Sequence, residues 1–150
     1  MRQGEAREYF ERIREEAAEI SEAVEMLERI KGREGAKAQS YGAAGGGSAD
    51  PMAAVDGRID FEGRLRQRIA DSWAEVDEAC LVLYGRDGRG GLAKLRGSRY
   101  ADVLCMAYLQ AMTWGEVADV MRCSKQWCRE LANAAFKAID AVGFATLREI

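Results

Sequence analysis

Residues Thr113–Ala138 read TWGEVADVMRCSKQWCRELANAAFKA. Thr113 followed three residues later by Glu116 is a capping box, which predicts a helix starting at Trp114. Val117, Val120 and Met121 then share an apolar face. Arg122-Cys123 is a short break, and Ser124 is a good N-cap for a second helix. In that second helix, over 125–139, Cys128, Leu131, Ala135 and Ile139 recur at helical spacing and point inward. Lys125, Gln126, Arg129, Glu130 and Asn133 fall on the opposite side, near its N-terminal end. Two short capped helices around a tight turn form a helix-turn-helix pattern. Hydrogen-bonding side chains grouped at the front of its second helix are what reading base edges in a DNA groove requires. The same pattern also fits a helical hairpin whose polar face is merely solvated.

The flanking sequence supplies the rest of a small domain. Ser98 is the expected N-cap of a helix carrying Tyr100, Val103, Leu104, Ala107 and Tyr108, which would pack behind the helix-turn-helix. Gly143 is a helix stop, and the tail from Phe144 to Ile150 has enough apolar residues to dock on the body. Upstream, residues 5–31 carry Ala6, Phe10, Ile13, Ala17, Ile20, Val24 and Leu27 at alternating spacings of four and three, a heptad seam. Residues 32–50 break the pattern with glycine, serine and alanine and read as a flexible connector around Gly45-Gly46-Gly47. No strand precedes that glycine-rich stretch and no Gly-Lys-Ser/Thr follows it, so a phosphate loop is disfavoured.

Asp50-Pro51 is a helix-start signal. A second long helix should run to about Tyr84, with Val55, Ile59, Glu62, Leu65, Ile69, Trp73, Val76, Cys80 and Leu83 as its stripe. It would pair antiparallel with residues 5–31. The expected organisation is therefore all-α: a coiled-coil-like hairpin over 1–85 with its connector at 32–50, then a three-helix helix-turn-helix domain over 92–150.

Composition restricts the function classes. The net charge is −3 over 150 residues, but its distribution matters more than its sum. Residues 1–34 hold seven basic and ten acidic side chains, whereas residues 92–150 hold eight basic and six acidic ones. That small local excess predicts weak DNA binding by a monomer, with dimerisation or a protein partner supplying the remainder. The seam on residues 5–31 is the expected homodimer contact if the hairpin does not consume it. No apolar run is long enough to span a membrane, and the charged start does not resemble a signal peptide, so a cytoplasmic protein is expected.

Of the four cysteines, Cys80, Cys105 and Cys128 fall at inward positions and read as buried free thiols in a reducing compartment; Cys123 falls in the turn. Cys123 and Cys128 lack C-x-x-C spacing and the chain has no histidine, which argues against zinc. The missing histidine, with no nucleophile motif and no Glu-x-x-His pair, also argues against an enzyme. No cofactor is expected.

Ser124-Lys-Gln-Trp-Cys-Arg-Glu-Leu followed by Ala135-Phe136-Lys137 resembles the recognition helix of the fourth region of primary sigma factors. By that resemblance Lys125, Gln126, Arg129 and Glu130 occupy the positions that face promoter DNA, with Trp127 replacing a basic residue and Glu130 an amide. Over nearly its full length the chain is also similar to small phage and prophage proteins of Gram-positive bacteria, related to phage late-gene activators and autolysin regulators. That similarity lies in the charged heptad helix, Ala38-Gln-Ser-Tyr-Gly, Gly-Ser-Ala-Asp-Pro51 and, most specifically, residues 99–139 with Arg99-Tyr-Ala-Asp-Val-Leu, Ala107-Tyr-Leu and Met-Thr-Trp114. Ala107 and Ala132 stand where the family commonly has Arg and His.

The resemblance implies a transcription regulator that binds double-stranded DNA. Lys125, Gln126 and Arg129 are then base-edge candidates, Asn133 a weaker one, and Glu130 an acceptor or a partner of Arg129. Arg122 and Lys137, with Thr113 and the N-terminus of its helix, are the phosphate-side candidates, and Ser124 belongs to the same DNA-binding set. Trp127 would pack on the sugar-phosphate backbone or a partner, or be a half-buried core residue. The competing expectation is an interaction module that binds RNA polymerase or a sigma factor without reading DNA.

Overall fold

Helix-forming residues and a single proline give a chain in which all the described secondary structure is helical. A computed structural model describes residues 2–40 and 51–150, with side-chain surroundings for 2–33 and 57–150. The helices are α1 (Glu5–Ser40), α2 (Pro51–Tyr84), α3 (Gly91–Leu95), α4 (Ser98–Leu104), α5 (Trp114–Met121), α6 (Lys125–Val142) and α7 (Phe144–Glu149). A π-helical turn, Cys105–Leu109, continues α4. No helix among the described residues is long and apolar enough to cross a membrane.

The fold class is all-α, as the periodicity predicts. The connector expected from residue 32 begins later, because α1 continues to Ser40. Once a helix is nucleated, good formers such as Ala, Lys and Glu propagate it past isolated glycines that cost only about 1 kcal/mol each. The remainder of that connector, 41–50, and the N-cap expected at Asp50 lie outside the described residues.

The chain forms two compact units: Met1–Ala18 with Trp73–Ile150, and Glu19–Ser72. This partition differs from the boundary expected near residue 85. The first turns of α1 and the last third of α2 belong with the C-terminal helices, because α1 contributes core to them. In that larger unit Ala6, Phe10, Ile13 and Ala17 are buried together with Val76, Ala79, Val82 and Leu83 of α2. Phe10 meets the rings of Tyr108 and Phe136 at 6.2 and 5.9 Å between centroids, and Tyr108 meets Phe136 at 5.4 Å and Trp114 at 6.2 Å. Edge-on and tilted aromatic pairs of this kind add about 0.5–1.5 kcal/mol each beyond burial. In the smaller unit Ala23 and Leu27 of α1 pack on Leu65 of α2, with Met26, Ile30 and Ile69 at the edge.

Both long helices depart from the expected stripes in the same way. Ala23 is buried where Val24 was expected, and Val24 is 37% exposed. On α2, Ser72 and Ala79 are buried, while Trp73 and Cys80 beside them are exposed, as is Ile59. In each pair the smaller side chain takes the inward position, and a large one there would hold the paired backbones apart. Cys105 is only partly buried, so of the three thiols expected inside only Cys128 is fully enclosed. On α5 the inner face is Val117 and Ala118, with Met121 partly buried; Val120 is 62% exposed rather than inward.

The loop after α2 depends on its glycines. Gly91 has φ +62°, and a Cβ there would sit 2.6 Å from the Val82 carbonyl oxygen. The Gly90 N–H donates to the Tyr84 carbonyl at 2.8 Å. Gly97 rather than Ser98 holds the cap position of α4, at φ 128°. The α4 ladder then widens by one residue, with Gln110 N–H donating to the Cys105 carbonyl at 3.0 Å. The tail docks as α7, with Leu147 fully buried.

Candidate nucleic-acid interface

The α5–turn–α6 element forms through local interactions. The Thr113 hydroxyl accepts the Glu116 N–H at 3.2 Å while the Glu116 carboxylate accepts the Thr113 N–H at 3.3 Å, closing the capping box. α5 ends at Arg122, which is left-handed at φ 56°, ψ 48° and donates its N–H to the Ala118 carbonyl. The Ser124 hydroxyl accepts the Trp127 N–H at 3.0 Å and starts α6. Cys128, Leu131, Ala132, Ala135, Phe136 and Ile139 form the buried face of α6. These placements match the boundaries and most of the inward set read from the sequence.

Thr113, Arg122, Ser124, Lys125, Gln126, Trp127, Arg129, Glu130, Asn133 and Lys137 all lie on the exposed side of this element. Lys125 folds back over Gly115, so that a Cβ built on that glycine would come within 3.4 Å of its Cε. This gathers Lys125 and Thr113 where α5 and α6 begin and both helix dipoles are positive. The Gln126 amide donates to the Glu130 carboxylate at 3.4 Å, so the acid is directed at Gln126 rather than at Arg129. The Arg129 guanidinium lies 5.9 Å from the centre of the Trp114 ring, a cation–π distance. Trp127 is 46% exposed, so about half of the side chain is open to solvent.

Asn133 does not stand free toward a groove. Its side-chain oxygen accepts a hydrogen bond from Arg7 of α1, and the same guanidinium lies 5.0 Å over the Phe136 ring. Asp140 completes the row: its two oxygens accept the Gly4 and Ala6 N–H groups, both at 2.9 Å. A side chain of α6 thus caps the start of α1 and satisfies two of its orphan donors. Asn133, Phe136 and Asp140, spaced by three and four, form one flank of α6 that meets α1, while Arg129, one turn earlier, stays exposed beside Trp114. The outward face beyond that flank holds Gln126, Trp127, Arg129, Glu130 and Lys137.

Between α1 and this flank lies an open cleft of about 730 Å³ lined by Arg7, Glu11, Arg14, Trp114, Arg129 and Asn133, among others. Arg14 also donates to the Met112 carbonyl at 3.4 Å. The three arginines are partly offset by Glu11 and Glu15, so the cleft is mixed in charge rather than strongly basic. On α1 this row of arginines lies beside the apolar seam, whose periodicity dominates the sequence. Arg7 and Arg14 stand one heptad apart, which is the signal that could have placed them on a common flank. Asp140 carried no such local signal.

No protein-family model matches the chain, and no curated protein or solved structure matches it.

Proposed function

We propose that this protein is a phage-type transcription regulator that binds double-stranded DNA through α5, the Arg122 turn and α6. The observation that carries the reading is the exposed group Lys125, Gln126 and Arg129 at the front of a capped helix entered from a left-handed turn. Such a helix can enter a major groove N-terminus first, with Lys125, Gln126 and Arg129 toward base edges. Thr113, Arg122, Ser124 and Lys137 then serve the phosphates. Asn133 plays a positioning part, holding Arg7 of α1 against α6. The modest positive charge favours action with a second copy or with RNA polymerase. The seam of α1 is buried within the chain, so a homodimer would use exposed apolar side chains of α2 such as Ile59 and Phe61. The reading is of a cytoplasmic binding protein rather than an enzyme.

A second reading, an interaction module for RNA polymerase or a sigma factor, draws on Val120 and Trp127. Both are large apolar side chains left exposed on α5 and α6. In-vitro selection from a random duplex library at stated salt separates the two. The DNA reading expects an enriched motif, a loss of about 1–3 kcal/mol in specific binding for Arg129→Ala, and affinity that falls steeply with salt. Absence of both enrichment and low-salt DNA retention would overturn it in favour of the interaction module.

A further inference from the structure

Ser124 caps α6, so Cys123 is the residue before the cap and Cys128 the fourth residue of the helix. Side chains at these two positions commonly meet across the first helical turn as a hydrophobic staple. Here both are thiols, and the two sulfurs lie 3.1 Å apart. Closing that contact to a disulfide bond of about 2.05 Å requires an approach of only about 1 Å. The backbone around them is pinned on both sides: the Cys123 N–H donates to the Ala118 carbonyl at 3.1 Å, and the Cys128 N–H to the Ser124 carbonyl at 3.0 Å.

We propose that Cys123 and Cys128 form a thiol–disulfide exchange site that reacts with small-molecule disulfides and closes into an intramolecular disulfide across the turn between α5 and α6. The two thiols differ in access. Cys123 is partly exposed, whereas Cys128 is fully shut off from solvent. Burial first, and then the adjacent Cys123 thiol, push the Cys128 thiol up to about 11, against an opposing effect of Arg99. Cys128 is therefore protonated at neutral pH and closed to external reagents.

The order of events follows from this difference. The Cys123 thiolate attacks one sulfur of an external disulfide such as oxidised glutathione. That S–S bond breaks, one glutathione thiolate leaves, and a mixed disulfide forms on Cys123. The adjacent Cys128 sulfur then attacks the Cys123 sulfur, the mixed-disulfide S–S bond breaks, and the Cys128 proton passes to the departing second glutathione thiolate. Two protein thiols are oxidised to one disulfide while one external disulfide is reduced to two thiols. The link fixes the angle at which α6 leaves the turn, replacing a packing contact with a bond.

The test uses the full chain and oxidised glutathione, with acid quenching, alkylation and peptide mapping. The expected product is a protein two hydrogens lighter, linked Cys123–Cys128, reverting with dithiothreitol and melting higher than the reduced form. Cys123→Ser should leave Cys128 free. Cys128→Ser should stop at a stable glutathione adduct on Cys123. Circular dichroism of both variants checks that they fold, and each replaces one side chain of a staple rather than the cap. A wild-type protein that accumulates the adduct on Cys123 without closing, links other cysteines, or leaves both thiols free while Cys80 reacts would overturn the proposal. DNA enters none of these measurements, so their outcome is independent of the DNA-binding reading.

Discussion

Asp140→Ala should destabilise the protein far more than its position in the second half of a partly exposed helix face suggests. The carboxylate accepts two backbone N–H groups of the α1 start, each at 2.9 Å. Ala6 is fully buried, so its N–H has no water to turn to when the acceptor is removed. An unsatisfied buried donor costs about 1–3 kcal/mol. Loss of a negative charge at a helix N-terminus adds about 0.3–1 kcal/mol. The Gly4 N–H, at a more open position, regains water and contributes less. The sum is on the order of 3 kcal/mol, which at about 2–4 °C per kcal/mol for a chain of this size lowers Tm by roughly 6–12 °C. Asp140→Asn keeps one acceptor oxygen and should lose about half as much.

Urea and thermal unfolding followed by circular dichroism give the stability, and amide exchange at Ala6 gives the local effect. The Ala6 amide should exchange faster in Asp140→Ala under native conditions. A stability change below about 0.5 kcal/mol with Ala6 still protected would refute the idea that α6 caps α1.

Gly91→Ala should cost roughly 3 kcal/mol or more in urea unfolding, since left-handed strain of about 1–2 kcal/mol is joined by a Cβ placed 2.6 Å from the Val82 carbonyl oxygen. Gly88→Ala, with φ +77° and nothing within 4 Å, should carry the strain alone, so equal losses for the two would contradict the packing assigned to Gly91. Ser124→Ala should destabilise by about 0.5–2 kcal/mol through loss of the cap on the Trp127 N–H. Ser124→Asp should restore most of that in the same unfolding assay.

Alkali supplies a further prediction. Cys128 titrates near 9 when unfolded and near 11 when folded, and Tyr84 is also raised by burial and by its 2.7 Å hydrogen bond to Asp102. Above pH 9 the unfolded chain therefore holds fewer protons than the native one. Stability should be fully present below that pH and fall as pH rises through 11. Tyr84→Phe and Cys128→Ala should each flatten the fall, and a flat wild-type profile between pH 8 and 11 would be inconsistent with both burials.

The elements around α5 and α6 were legible because their signals are local. Thr113 with Glu116 and Ser124 with the Trp127 N–H are interactions three residues apart, and the spacing of Cys128, Leu131, Ala135 and Ile139 defines a helix face on its own. The candidate interface was legible to the same extent: its residues share an exposed side because helical geometry puts them there. The Cys123–Cys128 contact is equally local, since the two residues sit on the staple positions of the same helix start.

By itself, then, the sequence determined the all-α class, the caps, the turn and the polar front of α6, all products of the backbone and its near neighbours. The spacing also placed Phe10, Ile13, Ile20, Leu65 and Leu83 inward, but only the tertiary structure decided the fine rotation of each long helix. Hydrophobicity favoured Val24 and Trp73, whereas close helix packing selected Ala23 and Ser72. Only it could show that Asp140 caps α1 and that Arg7 takes the Asn133 oxygen, partners more than 120 residues apart in the chain. Such pairs leave no periodic trace. They follow from where two helices come to lie, and packing across the whole unit settles that, not propensity along the chain.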